Sequence, residues 1–251
     1  MKKLIWKNII QTVAALVFLL AVWFVAYFSV GNEQLIPSVS DSLKEIGKLL
    51  ASGTFWQGLG MTVLRALCAF IISFIFALVL AVIAYLYPMI ERFLAPIVSV
   101  LRSMPVLAVL LILLFMMGAG EAPIAVAFLS LFPMLYAGIL AALSGVDRHL
   151  IDMSRVCGTP LFRRVTAIYL PLASPYVLRE AGAAISFSLK LVVSAEVLAA
   201  TTKSLGGMMQ DAKEYLELPQ LFALVGVAFL VGLLLETLIE IFAAYVEKKV
   251  K

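Results

Sequence analysis

Long apolar segments divide the chain into regular blocks, and each block is long enough to cross a lipid bilayer. Segments 9–30, 66–89, 103–120, 122–146 and 218–235 contain no Asp, Glu, Lys or Arg, and 181–200 contains only Lys190 and Glu196. A bilayer core of about 30 Å needs roughly 20 apolar residues in a helix. Helices also satisfy every backbone hydrogen bond internally. The pattern therefore predicts an all-α, polytopic membrane protein with six transmembrane helices.

Composition supports this prediction and excludes several classes of function. Of 251 residues, 64% are hydrophobic and 14% are charged, whereas a soluble domain has about 25% charged residues. His149 is the only histidine, which excludes a multi-histidine metal site. The chain contains no G-x-x-x-x-G-K-[ST] phosphate-binding loop. We therefore expect no catalytic residue, metal or cofactor, and ATP hydrolysis would require another chain.

The basic residues predict how the chain is oriented in the membrane. With the N-terminus inside, cytoplasmic segments hold 13 of the 19 Lys and Arg residues and external segments hold 4. Arg65 and Lys190 lie at or within spans. Because Lys and Arg accumulate in cytoplasmic loops, we expect both termini in the cytoplasm. The same bias explains the net charge of +4 without nucleic acid as a partner.

Two loops have patterns of their own. In the first external loop, Ser40 or Asp41 is predicted to cap a short amphipathic helix with Leu43 and Leu49 on one side. In the cytoplasmic loop 147–171, Asp152 is predicted to cap or open a short helix and Gly158 to end it.

The loop 147–171 also carries an apolar residue within a basic segment. Phe162 adjoins Arg163 and Arg164, which suits docking on another protein. An anchor on lipid headgroups is the alternative.

The spacing in this loop resembles the EAA motif of permease subunits of ATP-binding-cassette (ABC) importers. That motif has an acid followed by two small residues, a glycine six positions after the acid, an Ile ten later, and then Leu-Pro. The matching positions here are Asp152, Met153, Ser154, Gly158, Ile168, Leu170 and Pro171. The second position departs from the motif because Met153 is not small.

Further segments resemble the nitrate, sulfonate, taurine and bicarbonate branch of these permeases: 35–43, 101–121, 192–200 and 204–209. The resemblance implies a single transmembrane permease domain over 1–251, with a type I importer fold and no enzymatic activity. It also implies a bacterial or archaeal cytoplasmic (inner) membrane location. The substrate would be a small anion such as a sulfonate, taurine or nitrate, or a vitamin or pyrimidine precursor.

The resemblance also implies three protein partners. These are ATP-binding subunits, a second permease subunit in a homodimer, and an external solute-binding protein. The loop 147–171 would be the coupling helix that docks on the ATPase. We assign this contact to Asp152, Met153, Ser154, Gly158, Phe162, Arg163, Ile168 and Pro171.

Charged residues within the predicted spans are the candidates for substrate contact, because a charge in the bilayer is costly. Lys190 lies near the middle of the fifth span, with Ser186 and Ser194 four residues away on the same helix face. This stripe would line an anion pathway, or Lys190 would pair with a neighbouring carboxylate. Glu196 is expected to make structural hydrogen bonds at the outer end of the span.

Three further charges have predicted positions. Arg102, together with Pro105, is predicted to mark the entry turn of the third span. Glu236 and Glu240 are predicted to face Arg102 or Arg179 across the interface.

Two other classes of function remain as alternatives. An ion-coupled secondary transporter would work without an ATPase, but the chain shows no internal repeat and carries the EAA spacing. An intramembrane serine protease would need an embedded Ser–His pair, whereas His149 lies in a cytoplasmic loop.

Overall fold

The computed structural model describes residues 18, 21–32 and 35–250, and all regular structure in these residues is helical. This confirms the all-α prediction. The helices are α1 (Ala21–Val30), α2 (Val39–Ala51), α3 (Gly53–Leu86), α4 (Pro88–Ser103), α5 (Val106–Met117), α6 (Ala122–Ser144), α7 (Arg148–Val156), α8 (Leu161–Arg164), α9 (Leu170–Ala199), α10 (Leu205–Glu214) and α11 (Leu218–Val250). A π-helical turn, Val165–Tyr169, joins α8 to α9.

Four of the described helices are apolar and long enough to cross a membrane: α3, α6, the continuous α8–α9 helix, and α11. The pair α4 and α5 forms a fifth candidate that bends by 93°. The first predicted span, 9–30, lies largely outside the described residues, which include only its last part as α1.

The third predicted span, 103–120, contains a break between Ser103 and Val106 and then the 12-residue helix α5. The break follows from Pro105, which lacks a backbone N–H and disfavours the helical conformation at the residue before it. Arg102 and Pro105 therefore lie at a turn immediately before α5, as predicted, although a further helix, α4, precedes that turn.

Small residues allow α3 to pack closely against its neighbours. The buried positions of α3 after Phe55 recur every three or four residues and are all small: Gly58, Thr62, Ala66, Ala69, Ser73, Ala77, Ala81 and Ala84. Helices in lipid associate through close van der Waals contact, which small residues permit. This face packs mainly against α6, and it also contacts α9.

Helix α9 is the centre of the bundle. It packs against α3, α6, α10 and α11, and the Ser188 hydroxyl donates a 2.8 Å hydrogen bond to the carbonyl of Ala66 on α3. A movement of α9 would therefore be transmitted to these four helices.

Helix α2 forms as predicted, but its N-cap differs. Ser38 is the cap, because its hydroxyl accepts a 3.0 Å hydrogen bond from the backbone N–H of Asp41. The prediction of Ser40 or Asp41 as the cap is therefore wrong. Leu49 is buried, whereas Leu43 and Leu50 are exposed.

Candidate coupling loop and membrane pathway

The loop between α6 and α9 begins with a helix that starts earlier than predicted. The Asp147 carboxylate caps α7 by accepting a 2.9 Å hydrogen bond from the N–H of His149. Asp152 therefore lies inside the helix, and its predicted role as a cap is wrong. The predicted end at Gly158 is confirmed, since this glycine follows the C-cap with a φ of +68°, a conformation that glycine adopts without strain.

The loop presents apolar side chains to solvent. Val156 is 89% exposed, Phe162 80% and Met153 64%, and the neighbouring Arg163 is also exposed. Such exposure of apolar side chains is typical of a protein interface. Met153 and Val156 lie on α7, outside the candidate spans, and Phe162 lies at the start of the α8–α9 helix. Ser154 is different: it is buried, and its hydroxyl donates a 2.6 Å hydrogen bond to the carbonyl of Ile151.

The structure brings together four of the eight residues assigned to ATPase coupling. Met153, Ser154, Ile168 and Pro171 line one groove of about 580 Å³. The remaining four, Asp152, Gly158, Phe162 and Arg163, do not line it.

Asp152 lies along a second, more polar cavity of about 560 Å³, which includes Arg155 and Arg164. Its carboxylate lies 3.4 Å from Arg155. Both cavities are lined by residues of α7. The residues assigned to coupling that line a cavity are therefore divided between two cavities and do not form a single site.

The polar stripe on α9 lies along a cavity of about 510 Å³ between α9 and α11. Ser186, Lys190 and Ser194 all line this cavity, and its other walls are mostly apolar. Lys190 makes no ion pair with any described residue. Glu236 lines the same cavity, so the structure places it near Lys190. Its predicted contact with Arg102 or Arg179 across the interface stays a prediction.

Glu196 is the centre of a buried polar cluster at the other end of α9. Its carboxylate accepts hydrogen bonds from Thr62 Oγ1 at 2.7 Å and the Arg65 guanidinium at 2.8 Å, both on α3. It also accepts one from the N–H of Gly206 at 3.3 Å. Glu196 is fully buried, and this cluster joins α9 to α3 through Arg65 and Thr62 and to α10 through Gly206.

Sequence reasoning assigned hydrogen bonds to Glu196 but missed its partners. The available signal was that Arg65 and Glu196 are opposite charges near the ends of two apolar segments that are predicted to face outward.

The Gly206–Gly207 pair allows α10 to approach α9 closely. A Cβ added at Gly206 would lie 2.7 Å from the carbonyl oxygen of Val193 and would also contact Glu196. Backbone atoms cannot move aside as a flexible side chain can, so the position requires glycine. The same approach brings the Gly206 N–H within reach of Glu196.

A bundle of apolar helices, with exposed apolar side chains in a loop at one end and a cavity lined by a polar stripe along its central helix, is typical of a multi-pass transport permease. The match to protein families is more specific. The chain belongs to the family described as the inner membrane component of binding-protein-dependent transport systems, which matches residues 73–251. It is therefore a permease subunit of an ABC importer and a multi-pass protein of the inner membrane.

Curated relatives agree with this family. The chain is 25% identical to the taurine transport system permease protein of Escherichia coli K12 over 237 residues, or 92% of this chain and 86% of the relative. It is 30% identical to a putative aliphatic sulfonates transport permease of the same organism, with the same coverage of both chains. These relatives are transport permeases and not enzymes.

Solved structures show the same fold at lower identity. A chain of an amino acid ABC transporter superimposes with a TM-score of 0.67 and 18% identity, covering 79% of this chain and 97% of that one. A chain of a methionine ABC transporter in an inward-facing conformation gives a TM-score of 0.62 and 20% identity, covering 79% and 96%. The permease fold is thereby shown for this chain.

Proposed function

We propose that this chain forms the translocation pathway for a small organic anion of the sulfonate or taurine class. Lys190 carries the proposal, because it is a cation without an ion-pair partner among the described residues and lies on a polar stripe along the α9–α11 cavity. A lysine in a membrane span costs about 2.5–3.5 kcal/mol on insertion scales. Contact with an anion would offset part of this cost. The named functions of the relatives support the same solute class.

Energy for transport would come from ATPase subunits docked on the loop 147–171. The exposed side chains of Met153, Val156 and Phe162 provide the apolar centre of this interface. Arg163 provides a basic rim, as is common at protein interfaces. Since this loop leads directly into α9, closure of the ATPase would move the helix that carries Lys190.

The complete importer would contain a second copy of this permease and an external solute-binding protein. Both termini would lie in the cytoplasm, as the distribution of basic residues predicts. An anion would pass between the two permease copies by alternating access.

An uptake assay tests the role of Lys190. The importer, assembled with its ATPase and binding protein, is reconstituted in liposomes, and ATP-driven uptake of radiolabelled taurine or ethanesulfonate is measured. Lys190→Met should reduce uptake at least tenfold while the subunits still co-purify. Arg92→Met, an exposed cation on α4, serves as the matched control and should transport normally. Unchanged uptake in Lys190→Met would show that Lys190 is not part of the pathway.

A co-purification assay tests the docking loop separately. Phe162→Asp places a charge in the apolar centre of the proposed interface and should abolish recovery of the ATPase with the permease. Tyr215→Asp is the control. Tyr215 is an aromatic residue that is 76% exposed, like Phe162, but it follows α10 and lies outside the proposed docking loop. ATPase recovery with Phe162→Asp at the wild-type level would refute the docking proposal.

A further inference from the structure

A second polar groove lies between α4 and α6, apart from the Lys190 cavity. Its volume is about 740 Å³. The polar residues that line it are Glu91, Ser99, Arg102 and Ser103 on α4, and Tyr136 and Ser144 on α6. None of these residues was assigned to the pathway or the coupling loop, so the groove needs an explanation of its own.

The groove runs inward from the end of the bundle that carries the coupling loop. Tyr85 and Leu86, at the end of α3, line a cavity together with Arg155 and Arg164 of the loop region, and α4 begins directly after them. Glu91 and Ser144 therefore lie nearest the loop, and Arg102 lies deeper. At a rise of 1.5 Å per residue, the Cα atoms of Glu91 and Arg102 are about 16 Å apart along α4.

Two side chains in the groove have unused donors. The Tyr136 side chain is 4% exposed, and its buried hydroxyl has no hydrogen-bond partner in the described part of the chain. Buried hydroxyls are nearly always hydrogen-bonded in native proteins. Arg102 forms no ion pair with any described residue.

The chemistry of the deeper part of the groove favours an anion. A guanidinium binds carboxylate, sulfonate and phosphate groups through several parallel N–H donors. The hydroxyls of Ser99 and Tyr136 add neutral donors along the same wall. The Ser103 hydroxyl donates instead to the carbonyl of Val100 at 2.9 Å. The Glu91 carboxylate also lines the groove and acts electrostatically on Tyr136. It weakens the attraction for an anion, and Arg102 is the cation that offsets it.

We propose that this groove is an anion-binding site on the cytoplasmic side of the pathway. Arg102 and Tyr136 bind the acidic group of the solute there before its release into the cytoplasm. The assignment of solute class and of membrane side rests on the function proposed above. The site is distinct from the Lys190 cavity in its helices and its residues.

Charge-selective labelling of a cysteine in the groove tests the site without transport. Ser103→Cys is introduced into a chain in which the two free thiols, Cys68 and Cys157, are replaced by serine. Inside-out vesicles carrying the permease with its ATPase are treated with sulfonatoethyl or trimethylammonioethyl methanethiosulfonate. Each labelling rate is divided by the rate of the same reagent with a free thiol in solution.

The anionic reagent should label Ser103→Cys faster than the cationic one after this correction. Adding Arg102→Gln should lower the ratio of the two rates about tenfold, as loss of one charge-assisted contact predicts. Arg102→Lys should keep most of the preference, and the control Arg92→Gln should leave it unchanged. Equal corrected rates in the parent protein, or an unchanged ratio in Arg102→Gln, would overturn the proposal. Slow labelling without charge preference, as expected if lipid or a second copy covers the groove, would overturn it too.

Protection by ethanesulfonate tests the role of Tyr136. The concentration that halves the labelling rate should rise about tenfold in Tyr136→Phe, which removes only the hydroxyl. The control is Tyr245→Phe, since Tyr245 is exposed on α11. Protection in Tyr136→Phe equal to that of the parent would remove Tyr136 from the site.

The two proposals can fail separately. Absence of sulfonate uptake by the intact importer would refute the proposed solute class. The labelling ratio needs neither ATP nor the binding protein, so it reports on the groove whatever the uptake result.

Discussion

The buried ion pair between Arg65 and Glu196 is expected to be a major determinant of stability. Glu196 is 0% exposed and the Arg65 side chain 11%, so little solvent is available to either charge. Arg65→Met would leave the carboxylate with only two donors, Thr62 and Gly206. Breaking a buried pair by removing one partner typically costs about 3–5 kcal/mol. At roughly 2–4 °C per kcal/mol for a protein of this size, the melting temperature should fall by on the order of 10 °C.

A thermal-shift assay on the detergent-solubilised protein measures this loss, and a double-mutant cycle separates the ion pair from other effects. Glu196→Gln alone should also destabilise, because it leaves Arg65 without its partner. The double variant Arg65→Met/Glu196→Gln should melt higher than the two single losses predict, because removing both charges leaves neither one unpaired. Arg92→Met should melt like wild type. If Arg65→Met also has the melting temperature of the wild type, the reasoning about the buried charge is wrong. It is also wrong if the decrease in melting temperature of the double variant equals the sum of the decreases of the two single variants.

Three further substitutions test the packing of the loops and of α9, each by the same melting assay. Gly206→Ala should cost about 1–3 kcal/mol through contact with backbone atoms of α9, whereas Gly226→Ala, with open space around it, should be neutral or stabilising. Gly158→Ala should cost about 1–2 kcal/mol because the residue has a φ of +68°, and ATPase co-purification should weaken with it. Ser188→Ala should cost about 1 kcal/mol through loss of its hydrogen bond to Ala66; a Ser188→Ala protein as stable as wild type would show that this bond adds nothing to the α3–α9 contact.

Most of the membrane-spanning pattern was predictable because lipid imposes a simple rule on sequence. A segment that crosses the bilayer must be apolar over about 20 residues, and four of the predicted spans correspond to continuous helices in the structure. In the third predicted span the uncharged run contains only the 12-residue helix α5. The preceding helix, α4, carries Glu91, Arg92 and Arg102, so a search for uncharged residues began only where α4 ends.

The candidate sites were predictable only in part. The stripe Ser186, Lys190 and Ser194 follows from helical periodicity alone, and the structure adds the cavity that it lines. The Arg65–Glu196 contact joins residues 131 positions apart in the chain. Helical periodicity gives no information about which faces of two distant helices meet.

The sequence by itself determined that this protein is a helical membrane permease, where most of its helices lie, and which loop resembles a coupling helix. These properties depend on how long each apolar segment is and on the spacing of residues within a motif. Both can be read from residues that are close together in the sequence. Only the tertiary structure decided that Glu196 pairs with Arg65, that Glu236 lies with Lys190, and that Arg102 and Tyr136 share a groove. Those contacts depend on how α3, α4, α6, α9 and α11 pack, and small residues such as Ala66 set that packing through shape, without a charge or motif to mark it.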